Sequence, residues 1–284
     1  MLALAAAPAH VSVRKVGALP AATSRLSAVA LRDGRVLALG GLVRGSSSDE
    51  ILLGPPARLR LVGHLPAATH DAAAAPFEGK IGLFGGGQAV STNTVTTVDP
   101  RNGRARSAGH LDEPLSDLGA ASVGGATYLV GGYTGSRYAT AVLRVGPRAA
   151  TKTVARLPVG LRYAGVTVLG RTIYVAGGLA PNGETRTVYA IDPVAGAVRK
   201  LGRLPRPVAH APLVALGDAL YLVGGTSSSG SGLRTIWRID PHSGVTRAAG
   251  SLPVPLQDAA AVSLGGRGVV LGGGTAAVYQ LTLR

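Results

Sequence analysis

Ala120-Ala121-Ser122-Val123-Gly124-Gly125-Ala126-Thr127-Tyr128-Leu129-Val130-Gly131-Gly132 is the stretch on which the fold turns. Two short runs of small, β-branched and aromatic residues flank one Gly-Gly turn, and a second Gly-Gly closes the unit. Apolar runs this short, bounded by glycine, read as an antiparallel strand pair joined by a tight turn.

The closing pair recurs. Gly-Gly ends an apolar run at Gly40, Gly85, Gly131, Gly177, Gly224 and Gly272, in steps of 45, 46, 46, 47 and 48 residues. A second mark keeps the same phase: Leu19-Pro20, Leu65-Pro66, Leu111-Asp112, Leu157-Pro158, Leu204-Pro205 and Leu252-Pro253. Between these marks each repeat holds two more runs, an alternating one such as Val95–Val98 and a basic one that leads into the next Leu mark. Four strands per unit, repeated at a period in the forties, predict an all-β, six-bladed β-propeller of four-stranded antiparallel blades. The Ala-rich Ala67–Ala75 favours helix locally, but its counterparts in other repeats carry Val, Thr and Leu, so the register assigns it to strand. The last repeat is one strand short. Val11–Gly17, followed by Leu19-Pro20, has the outer-strand pattern and is expected to complete that blade, leaving no open edge. A single domain over 11–284 follows.

Composition agrees. Gly 42 and Pro 18 in 284 residues disfavour long helices, while 46% hydrophobic and 15% charged residues disfavour disorder. Aromatics are 4%, so Ala, Val and Leu must build the core. With no Cys there are no disulfides, thiolate metal sites or cysteine nucleophiles. Twenty-nine Lys and Arg against 14 Asp and Glu give +15, which promotes non-specific contact with polyanions. No apolar run is long enough to span a membrane. Residues 1–10, MLALAAAPAH, resemble the end of a secretory signal, so a secreted, periplasmic or cell-envelope location is expected.

On these residues the chain resembles the kelch-repeat family over essentially its whole length. The resemblance rests on YLVGG at 128–132 and 221–225, YVAGG at 174–178, and the Val/Ile-Asp-Pro turns at Asp99, Asp192 and Asp240. It departs in the outer strands, where kelch repeats carry a Trp and this chain has Arg, Val or Ala. Its only Trp, Trp237, falls on a third strand. The resemblance implies a propeller that binds a protein, glycan or small polar ligand through its loops.

The residue six past each Leu mark should stand at the mouth of the central channel. These are Arg25, Asp71, Asp117, Tyr163, His210 and Asp258, preceded by Ser24, His70, Ser116, Arg162, Ala209 and Gln257. A concave mouth with convergent polar groups is where a propeller binds small ligands. Arg25, Asp71, Asp117, Arg162, Tyr163, His210 and Asp258 are therefore the candidate ligand-binding residues. The same Asp residues could instead bond backbone N–H groups of neighbouring blades and serve as stitching. Adjacent side chains on one strand face opposite ways, so His70 and Asp71 are not expected to share a ligand, and neither metal nor cofactor is expected. Ser227–Gly232 lacks the Lys-Ser/Thr and the helix of a phosphate cradle, and no nucleophile elbow is present. Basic residues crowd the outer strands as a belt: Arg14, Lys15, Arg58, Arg60, Arg104, Arg106, Lys152, Arg199, Lys200 and Arg247. Without aromatics among them, sequence-specific nucleic-acid binding is not expected.

The expectation is thus a monomeric, non-enzymatic binding module. The alternative is an extracytoplasmic sugar-modifying enzyme of the kelch-type sialic-acid mutarotase kind. Galactose oxidase chemistry is ruled out by the missing Cys, and the four Glu residues (Glu50, Glu78, Glu113, Glu184) avoid the ring positions.

Overall fold

The computed structural model describes residues 10–284, so the signal-like segment lies, His10 apart, outside the described residues. The chain is all-β: the second to fifth repeats each form a separate four-stranded antiparallel sheet, while the strands of the first and last repeats belong to one nine-stranded sheet, joined where Thr23 and Ser24 pair with Val43 and Leu42. The third repeat shows why. Gly119–Val123 pairs with Ala126–Val130 through Gly124-Gly125, whose φ values of +58° and +81° are those of the tight hairpin turn whose twist matches the strands. Ala126–Val130 then pairs with Ala141–Val145, and Ala141–Val145 with Thr151–Arg156. Ala67–Ala75 is not helical: residues 67–69 end the strand Arg60–Thr69 and residues 73–75 begin Ala73–Phe77. Trp237 lies on the third strand of its sheet, Thr235–Ile239.

The last sheet takes its outer strand from the other end of the chain. Val11–Ser24 runs antiparallel to Thr275–Leu283, with Val11 opposite Leu283 and Lys15 opposite Tyr279. The core is distributed between sheets. Each apolar cluster joins two consecutive repeats: Tyr128, Val130 and Val142 of the third meet Ile173, Val175 and Ile191 of the fourth. The last and first repeats meet in the same way, through Val269, Leu271 and Val278 against Val36, Ala38 and Leu52. With few aromatics, this packing rests on β-branched and leucine side chains between flat faces.

The Gly-Gly mark is explained by one example. Gly132 N–H donates to Leu161 C=O of the following repeat at 2.7 Å, and a Cβ on Gly131 would collide with that same oxygen. Both residues have positive φ, +62° and +106°. The pair therefore marks where one sheet is hydrogen-bonded to the next, a contact that any side chain would push apart.

The basic belt is largely where the sequence puts it, with one correction. Arg58 and Arg104 are exposed but precede the outer strands Arg60–Thr69 and Ala105–His110, in the turns that enter them.

Candidate functional site

Where each outer strand hands over to the next inner strand, the chain passes through one left-handed residue. These are Arg25, Asp71, Asp117, Tyr163, His210 and Asp258, with φ between +53° and +58°. Asp and His tolerate this region better than most residues, so backbone geometry alone accounts for four of the six residue types. The six form a closed circle of backbone hydrogen bonds. Each N–H donates to the carbonyl of its neighbour: Arg25 to Asp258 (2.8 Å), Asp71 to Arg25 (3.1 Å), Asp117 to Asp71 (2.8 Å), Tyr163 to Asp117 (2.9 Å), His210 to Tyr163 (3.0 Å) and Asp258 to His210 (2.9 Å). Stitching is thus carried by main-chain atoms.

The side chains pair with one another. Arg25 bridges two carboxylates, Asp71 through Nη1 at 3.0 Å and Asp258 through Nε at 3.5 Å. His210 Nδ1 lies 2.5 Å from Asp258 Oδ1, and its ring stacks on Tyr163 at 3.9 Å between centroids. Arg162 Nη2 lies 2.5 Å from Asp117 Oδ2 and donates to Tyr163 OH at 2.9 Å. The Arg162 guanidinium sits 4.5 Å from the ring centres of both Tyr133 and Tyr163. Flat cations stack well on aromatic faces, so this arginine is held in one orientation. Its Nε is buried without a hydrogen-bond partner among the described residues.

One expectation fails. His70 Nε2 lies 3.7 Å from Asp71 Oδ2, so the two side chains share one site. Strand alternation does not apply, because Asp71 at φ +54° is a left-handed corner that turns the next side chain back to the same side. On its other side His70 Nδ1 is 2.9 Å from Ser47 Oγ.

Burial sets the charges. It pushes the Asp71 carboxyl up, the nearby Asp117 adds to this, and Arg25 opposes it only in part, leaving the value at about 8. Arg25 cannot fully hold Asp71 ionised because it is shared with Asp258. Burial raises the Tyr163 hydroxyl, and burial followed by the charge of Arg25 lowers His70, which is neutral at pH 7. The mouth therefore combines a protonated carboxyl, a neutral imidazole and two fixed cations.

All seven sequence-derived residues come together here. Six of them line the recess inside the ring, above a collar of small apolar residues such as Ala72, Ala164 and Ala259. A second recess of about 260 Å³ opens off-axis and is lined by Arg25, His70, Asp71, Asp117, Arg162 and Tyr163 with Gln88, Ser91, Ser116 and Tyr133. Tyr133 and Ser91 were missed. A usable signal existed: Tyr133 directly follows its Gly-Gly pair and is bridged to Ser116, just as Gly87 is bridged to His70. Glu184 was also passed over. Its Oε1 accepts from Thr226 Oγ1 at 3.0 Å, while Oε2 is buried without a partner. Among the described residues, no group of three or more His, Asp or Glu is placed to hold a metal, and no helix is long and apolar enough to cross a membrane.

Residues 160–205 and 207–245, two consecutive repeats, match the family model described as Kelch motif. The solved structure of YjhT matches this chain with a TM-score of 0.80, over 94% of this chain and 99% of that one, at 15% identity. No curated protein matches the sequence. At 15% identity the likeness shows the fold alone and leaves the activity to the site.

Proposed function

We propose that residues 11–284 form a single six-bladed propeller, closed by Val11–Ser24, that works as a binding module for a small polyhydroxylated ligand at its mouth. The blade count is supported by the circle of six backbone hydrogen bonds and by the apolar clusters that join each repeat to the next, the last to the first included. The ligand reading rests on one observation: His70, Asp71, Asp117, Arg162, Ser116 and Tyr133 converge on one recess of about 260 Å³. That set offers hydrogen-bond donors, acceptors and an aromatic face within one concavity, which is what the hydroxyl groups and apolar ring face of a sugar require. A secreted, periplasmic or envelope location and a monomeric state belong to the same proposal.

A panel of monosaccharides titrated by calorimetry or ligand-observed NMR tests it. Gln88→Trp, on an exposed loop at the edge of the recess, should abolish binding and leave the melting temperature unchanged. If no sugar binds, or if the tryptophan variant binds as before, the reading fails.

A second reading is favoured by the Asp71–His70 pair. A carboxyl that keeps its proton up to about 8, beside a neutral imidazole 3.7 Å away, is an acid next to a base. Such a pair could pass a proton to a sugar ring oxygen and take one from its anomeric hydroxyl, the chemistry of a mutarotase. Exchange between anomers, followed by NMR with and without protein, decides it. A rate equal to the uncatalysed one rejects this reading and leaves the first intact.

A further inference from the structure

The outer strands share a register that the mouth does not use. Counting back five residues from each Leu mark gives Arg14, Arg60, Arg106, Lys152, Arg199 and Arg247. All six repeats place a cation there. Each lies on an outer strand: Val11–Ser24, Arg60–Thr69, Ala105–His110, Thr151–Arg156, Ala197–Arg203 and Thr246–Ser251. Each is exposed. The ladders bear out the equivalence: Arg106, Arg199 and Arg247 stand opposite Thr97, Ala190 and Arg238, each two residues before a turn aspartate.

None of the six makes an ion pair among the described residues; the ion-paired arginines are Arg25, Arg35, Arg101, Arg137, Arg162 and Arg238. Nor do the turn acids neutralise them. Asp33 and Asp99 are held by Arg35 and Arg101, while Asp192 and Asp240 accept N–H groups of their own turns. An exposed sheet edge needs a charge to prevent pairing with another edge, and a negative charge would do this as well. Six positive charges at one register go beyond that need.

We infer that this belt binds a flexible acidic polysaccharide wound around the rim of the molecule. The inference goes beyond the mouth reading and uses none of its residues. A belt meets a flat membrane along only a short arc, which disfavours lipid. Duplex DNA, with a persistence length of ~50 nm, is too stiff to follow a body whose radius of gyration is about 19 Å. Proteins that bind single-stranded nucleic acid add aromatic stacking platforms to a basic groove, and the six outer strands carry no Phe, Tyr or Trp. They do carry hydroxyls beside the cations, such as Ser107, Thr153 and Thr246. Anionic groups for the arginines and hydroxyls for these side chains occur together on an acidic polysaccharide.

Heparin-derived fragments of increasing length, measured by fluorescence anisotropy at several salt concentrations, provide the test. Affinity should rise at least tenfold between a tetrasaccharide and a hexadecasaccharide, and fall steeply with salt. Two double variants, Arg106→Gln with Lys152→Gln on neighbouring strands and Arg14→Gln with Lys152→Gln on distant ones, should weaken binding of the long chain similarly. Each should lower the salt slope by about two, because each lost contact removes roughly one. Both pairs are exposed, so melting temperatures should not move. Gln88→Trp should leave polymer binding unchanged, which separates this inference from the mouth. Equal binding of short and long fragments overturns it, as does loss through one pair and not the other. Tighter binding of polyphosphate, duplex DNA or phosphatidylglycerol vesicles at equal salt also overturns it.

Discussion

At the residue scale, the mouth stores its electrostatics in two places that respond oppositely to change. Asp117 is 2% exposed at its side chain and is paired with Arg162. Removing one partner of a buried pair leaves the other charge without solvent or counterion, so Arg162→Gln should cost about 3–5 kcal/mol. The double variant Arg162→Gln with Asp117→Asn should recover a large part of that, which chemical denaturation of the three variants will show. Asp71 behaves differently. Its carboxyl holds a proton more tightly folded than unfolded, so the proton favours folding. That contribution is complete below the ordinary 3.8 and is lost as pH rises through about 8. Stability of the native chain should therefore fall between pH 5 and pH 9, and Asp71→Asn should flatten the fall. Urea unfolding at the two pH values measures it, and an equal fall in the variant would mean that another group carries the proton.

At the element scale, the Gly-Gly marks are the cheapest sites to test. Gly131→Ala meets both a positive φ and the Leu161 carbonyl, whereas Gly135 has a positive φ of +95° and open space around it. The first substitution should cost well over 2 kcal/mol and the second about 1 kcal/mol, because only the first separates two sheets. These glycines also explain how much could be read in advance. A position that admits no Cβ leaves its mark directly in the sequence, so the repeat, the strands and the ring residues were all legible. Side-chain direction was not. His70 was assigned away from Asp71 by strand alternation, since a left-handed Asp71 has no signature that distinguishes it from a strand residue. Tyr133 was missed although it directly follows its Gly-Gly pair, because the equivalent residues of the other repeats, Leu42, Gly87, Leu179, Thr226 and Gly274, share no chemistry that marks a site. The pairing of Val11–Ser24 with Thr275–Leu283 was legible because the missing strand could be counted. Removing the first 17 residues should expose the edge of Thr275–Leu283 and cause aggregation or a loss of cooperative melting, followed by calorimetry and light scattering. An unchanged melting temperature would reject closure by this strand.

At the scale of the whole molecule, the question is whether the ring depends on the covalent order of its repeats. An open stack of repeats has two ends that can fray, and its stability is a sum of neighbour terms. A closed ring has no end, and each apolar cluster between consecutive repeats, the last and first included, carries part of the load. In the proposed ring, closure comes from hydrogen bonds and packing between Val11–Ser24 and Thr275–Leu283, not from a peptide bond across the ring. The two ends of the described residues already meet, as Arg284 N–H donates to His10 C=O at 2.9 Å. A short Gly-Ser linker from Arg284 to His10 therefore adds little strain, and opening the chain within the exposed loop Ser228–Gly230 breaks no strand. This circular permutant should fold to the same circular-dichroism spectrum, with a melting temperature within a few degrees of the parent. A permutant opened inside Ala219–Val223, where every residue is buried, should not fold. If the loop permutant unfolds in two separate steps or melts far lower, the peptide order carries stability that the proposed ring assigns to the sheet contacts.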